Sequence, residues 1–66
     1  MTYLLRALNK DGKEFFYTGR AGEGWVSPEV SEAFTYQNLD AARSKAKRFN
    51  EMTDIHGLRF MAMVPQ

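Results

Sequence analysis

Apolar residues cluster in short runs along this chain, alternate with polar ones over residues 32–36, and recur at helical spacing over one segment. Residues 2–8, TYLLRAL, are apolar and tolerant of extended backbone, and they predict a first strand. Asn9-Lys10-Asp11-Gly12 is a turn signal, because Asp-Gly supplies the positive-φ position that tight hairpins demand. Residues 13–18, KEFFYT, predict an aromatic second strand that completes a hairpin. Residues 19–31, GRAGEGWVSPEVS, hold three glycines and a proline and predict a loop, with Trp25 and Val26 as a short extended piece. Glu32 to Tyr36 alternates with period two and predicts a short third strand.

The period then changes. Asn38 is placed as an N-cap, and Asp40 complements the helix dipole in the first turn. In 39–52, LDAARSKAKRFNEM, the residues Leu39, Ala42, Ala46 and Phe49 form one apolar stripe, flanked by Ala41 and Met52. The alanines let such a helix sit close to a sheet with bulky side chains. Residues 53–57 end the helix, with Gly57 suited to a left-handed turn. Residues 58–64, LRFMAMV, predict the last strand, closed by Pro65. The expected fold is a single α+β domain over 1–66: a small antiparallel sheet of three or four strands with one helix across one face, in the order β-β-(β)-α-β.

One helix covers one face of a sheet, so the other face is expected to turn polar. It does not. Leu4 and Leu8 separate from Tyr3 and Leu5, Phe16 from Phe15 and Tyr17, and Met61 and Met63 from Leu58, Phe60, Ala62 and Val64. Large side chains therefore point both ways, and exposed apolar area of this kind marks an interface. The alternative is that loop 19–31 folds back and covers the second face with Trp25 and Val26.

A chain of 66 residues buries only roughly 60% of its unfolded surface, which leaves its stability marginal. With no cysteine and one histidine, neither a disulfide nor a metal is expected to supplement it; close helix-on-sheet packing or self-association remains. No run approaches the ~18 apolar residues of a membrane span, and Arg6 and Lys10 interrupt the N-terminal apolar stretch where a signal peptide needs continuity. A cytoplasmic protein with no membrane partner is expected. The net charge of +1 predicts no global pull toward nucleic acid. Charge is nevertheless uneven: residues 21–42 hold Glu23, Glu29, Glu32 and Asp40 with no Lys or Arg, and residues 43–48 hold Arg43, Lys45, Lys47 and Arg48.

Candidate chemistry is sparse. The glycines of GRAGEG (19–24) lack the Lys-Ser/Thr ending of a phosphate loop. His56 stands without convergent ligands, and Ser27, Ser31 and Ser44 sit in no nucleophile-elbow context. The carboxylates form no pair at a spacing that implies acid–base work. No catalytic residue, metal, cofactor or small-molecule substrate is expected.

Binding residues are a different matter. Trp25, Arg20 and Tyr17 are the residue types enriched at protein-binding hot spots, Met61 and Met63 suit an adaptable contact, and Glu23, Glu29 and Glu32 suit a basic partner surface. The expected function is a non-enzymatic binding protein that docks on a larger protein or protein–nucleic-acid complex, with homodimerisation through the uncovered sheet face as a companion. The alternative is a small DNA- or RNA-binding regulator using the basic helix, through Arg43, Lys45, Lys47 and Arg48, or the sheet face, with Arg6 and Lys13.

Two resemblances bear on these expectations. Three strands followed by an alanine-rich helix, with AFTYQNLDAARSKAKRFN at the junction, resemble the three-stranded DNA-binding domains of phage integrase arms and AP2-type proteins. That likeness implies a sheet laid in the major groove with Arg6, Lys13 and Arg20 toward DNA; the chain departs from it in having few basic strand positions and a strand after the helix. In overall style (a short cysteine-free chain, a compact sheet with one helix, and the aromatic-rich stretch FFYTGRAGEGWVSPEVSEAFTY) it resembles small phage and mobile-element proteins of the anti-CRISPR and host-takeover inhibitor type. That likeness implies inhibition by occluding a site on a larger complex in the host cytoplasm, and it carries over no particular residue.

Overall fold

A computed structural model of the protein describes residues 2–52 and 57–64. β1 (Leu4–Leu8) and β2 (Glu14–Tyr17) form the expected hairpin, with Arg6 opposite Phe16 and Leu8 opposite Glu14. Asn9 closes its turn: its N–H donates to the Lys13 carbonyl, and its side-chain oxygen accepts from the N–H groups of Asp11 at 2.9 Å and Lys13 at 2.8 Å. Gly12, at φ +81°, takes the left-handed position that a hairpin loop of this length requires. β3 (Val26–Ser27), a 3-10 turn over Val30–Glu32, α1 (Leu39–Met52) and β4 (Arg59–Met63) follow. The strands order as β3-β2-β1-β4, every neighbour antiparallel, giving the α+β architecture that the patterning predicts.

The third strand lies earlier than expected. Val26 and Ser27, not residues 32–36, pair with Tyr17 and Phe16, and Val30–Glu32 is a 3-10 turn. The alternation of 32–36 marks extended backbone, but among the described residues that backbone bonds to the sheet and its approach at two points. Phe34 donates its N–H to the Tyr17 carbonyl at 2.8 Å, and Tyr36 exchanges two hydrogen bonds with Tyr3 at 2.7 and 2.8 Å. The segment thus joins the end of β2 to the start of β1 without forming a ladder. Its period-two pattern survives in the side chains, since the rings of Phe34 and Tyr36 meet edge-on at 4.9 Å.

Asn38 caps α1 as expected: its side-chain oxygen accepts from the N–H of Asp40 at 2.7 Å and of Ala41 at 3.3 Å. Ala42 and Ala46 are buried, Leu39 and Phe49 are half-buried, and the flanking Ala41 and Met52 are exposed. Two small side chains at the contact bring α1 close onto β4 and β1. Gly57 has a positive φ of +65°; residues 53–56, including His56, and Pro65 lie outside the described residues.

The register sorts the strands into two faces. Leu5, Ala7, Phe15, Tyr17, Phe60 and Ala62 face the helix and, with Ala42, Ala46 and Leu58, build the core. Leu4, Arg6, Leu8, Phe16, Met61 and Met63 face the other way. Leu4 and Phe16 are buried there, so the second face has a small apolar centre of its own. The loop does not cover that face with Trp25 and Val26, the alternative raised by the sequence. Both pack on the helix side: Val26 pairs with Tyr17, and the Trp25 ring meets Phe49 and Phe60, while the residue that loop 19–31 adds opposite Phe16 on the second face is the buried Ser27.

Candidate interaction surface

α1 lies over β4 and β1, and aromatic rings extend the same layer across β2 and β3. Phe60 meets Phe49 at 4.8 Å between centroids, and Trp25 touches both, at 5.7 and 5.5 Å. Phe49 reaches Tyr17 at 4.9 Å, Tyr17 reaches Phe34 at 6.2 Å, and Phe34 reaches Tyr36. Edge-on and tilted geometries dominate, as the ring quadrupoles favour. The row is buried at Phe60, half-buried through Trp25, Phe49, Tyr17 and Tyr36, and open at Phe34, which is 47% exposed.

Local structure holds this row in place. Thr18 ties the base of the glycine loop, its N–H to the Trp25 carbonyl and its hydroxyl to the Gly24 carbonyl, and so anchors the backbone from which the Trp25 ring meets Phe49 and Phe60. Phe34 lies on Gly19, where a β-carbon would sit 2.6 Å from the ring. Glycine is required there twice over, since its φ is +82°. Lys45 holds its ammonium 5.1 Å from the Phe49 centroid and 6.0 Å from that of Tyr17, over the edge of the shelf. Burial raises the Tyr36 phenol pKa above its ordinary value, and the neighbouring Tyr17 adds to the effect.

The residues singled out from the sequence do not share one surface. Tyr17 and Trp25 belong to the aromatic shelf. Arg20, Glu23, Glu29 and Glu32 are exposed on the loop around it. Met61 (45% exposed) and the half-buried Met63 sit on the opposite sheet face, around Arg6. Arg6 is ion-paired with Glu14, and Lys13 lies 5.3 Å from the centre of the Phe15 ring, so neither is an isolated charge. Arg43, Lys47 and Arg48 are exposed, whereas Lys45 is half-buried against the rings.

Phe34 and Tyr36 were missing from the candidates. Their signal was present, two aromatics one residue apart beside a glycine-rich loop, but it was absorbed into the expected strand. Among the described residues no group of three or more His, Cys, Asp or Glu could hold a metal ion, and no helix is long and apolar enough to cross a membrane. Comparison with protein-family models, curated proteins and solved structures finds no match to this chain.

Proposed function

We propose that this chain is a non-enzymatic binding protein whose aromatic shelf docks on a larger protein and occludes or tethers it. The observation that carries this reading is the row Trp25–Phe49–Tyr17–Phe34–Tyr36, fixed by glycine contacts and loop hydrogen bonds yet open at Phe34. Aromatics already held in one geometry lose little entropy on binding, and rigid aromatic anchors dominate protein interfaces. Exposed Arg20 and Glu23 on the adjoining loop supply a polar rim of both signs.

A second reading rests on Lys45, whose ammonium stands over two of these rings. Bases stacked on aromatics beside a cation are the mode of single-strand binders. The two readings part in a salt titration: phosphate contacts make affinity fall steeply with log salt, and an aromatic-anchored protein interface responds far less. The test captures partners on immobilised wild type after nuclease treatment, alongside Phe34→Ser and the Arg43/Lys45/Lys47/Arg48→Gln variant. A partner kept by the glutamine variant and lost with Phe34→Ser supports the shelf as a protein-docking surface. Capture that needs intact nucleic acid, or that ignores Phe34, overturns it.

A further inference from the structure

β4 is an edge strand, and the direction of its free main-chain groups follows from the ladder. Tyr3 bonds to Tyr36 on the side of β1 away from β4, so the odd residues of β1 bond on that side and the even residues bond toward β4. Arg6 is opposite Met61, so Met61 points its N–H and C=O inward, and Phe60 and Ala62 point theirs outward. Asn50 agrees with this. Its side-chain oxygen accepts from the Phe60 N–H at 2.7 Å, and its amide nitrogen donates to the Phe60 carbonyl at 2.9 Å. One side-chain amide thus takes the place of a neighbouring strand at Phe60. Among the described residues none pairs with the outward groups of Ala62.

We infer that the outer edge of β4 pairs with β4 of a second copy, antiparallel about a two-fold axis at Ala62, and that Asn50 limits this pairing. This inference does not depend on the aromatic shelf. The register makes the edge self-complementary: Ala62 falls opposite itself, Phe60 opposite Val64 of the second copy, and Met61 opposite its Met63. Every pair is apolar, and residues 60–64, FMAMV, hold no charge and no proline to discourage strand addition. Met61 and Val64, 45% and 44% exposed, are the side chains such pairing would cover. Methionines facing one another across the axis suit a surface that repacks on contact. With Asn50 in place only the central pair forms, about two hydrogen bonds; with Asn50 released the ladder extends to about six.

Sedimentation equilibrium across a wide concentration range tests this with wild type, Asn50→Ala, Ala62→Pro and the double variant, each checked for fold by circular dichroism. Asn50→Ala is expected to dimerise about tenfold more tightly than wild type. Ala62→Pro removes only an outward-facing N–H, which an edge strand tolerates, and is expected to abolish dimers in both backgrounds. Hydrogen exchange of the wild-type Ala62 amide, expected to slow as concentration rises, decides the matter if Asn50→Ala fails to fold. Equal association of wild type and folded Asn50→Ala, dimers that survive Ala62→Pro, dimers lost instead with Phe34→Ser, or an Ala62 amide indifferent to concentration would each overturn the inference.

Discussion

Gly19 and Phe34 show how one missing side chain shapes a surface. Gly22 shares a positive φ but has open space where a β-carbon would go, whereas Gly19 has the Phe34 ring there. Gly22→Ala should therefore cost only the left-handed backbone strain, about 1–2 kcal/mol. Gly19→Ala should cost more and should also lift Phe34 off its seat. Urea midpoints measure the first difference, and the chemical shifts of the Phe34 ring measure the second. Tyr36 makes a separate prediction. Burial holds its phenol protonated to higher pH in the folded chain than in the unfolded one. The stability this contributes is fully present below the unfolded value of about 10 and is lost as pH rises through the folded value. Loss of stability towards alkaline unfolding, monitored by Trp25 fluorescence, should begin above the unfolded value of about 10, and Tyr36→Phe should reduce its steepness.

At the scale of elements, Ala42 and Ala46 set the distance between α1 and the sheet. Ala42 is wholly buried, so Ala42→Leu inserts volume where none is available and should destabilise by about 1–3 kcal/mol despite the better match to an apolar stripe. Thermal unfolding of Ala42→Leu against Ala41→Leu, at an exposed neighbour, separates overpacking from helix propensity. The helix was fully legible in the sequence, because its cap, stripe and small residues are local signals. The hairpin was legible for the same reason, through Asn9 and Gly12. What misled was 32–36, where alternation signals extended backbone but cannot say whether a partner strand lies beside it. The backbone of Tyr36 pairs with Tyr3, 33 residues away in sequence, and no local pattern encodes that meeting. The role of Asn50 was equally hidden. A polar residue beside a stripe reads as solvated until the fold places Phe60 against it.

For the molecule as a whole, the apolar excess that pointed to a binding surface is real, and the fold spends much of it on itself. Leu4 and Phe16 are buried on the second face, and Trp25 joins the core layer instead of standing free. Among the aromatic side chains of the described residues, the most open is Phe34, which composition alone did not distinguish from the others. This division yields a contrast between core and site. A 66-residue domain has a total stability of about 3–10 kcal/mol. Leu5 is fully buried at the centre of the core, and Leu5→Ala should cost about 2–5 kcal/mol, enough to unfold a large part of the population. Phe34 is 47% exposed and hydrogen-bonds only through its backbone, so Phe34→Ser should leave most of that stability in place. Denaturant titrations of the two variants at equal concentration test the separation. If Phe34→Ser collapsed the fold as Leu5→Ala does, the aromatic row would be core from end to end, and a loss of partner capture in that variant would report unfolding, not a broken interface.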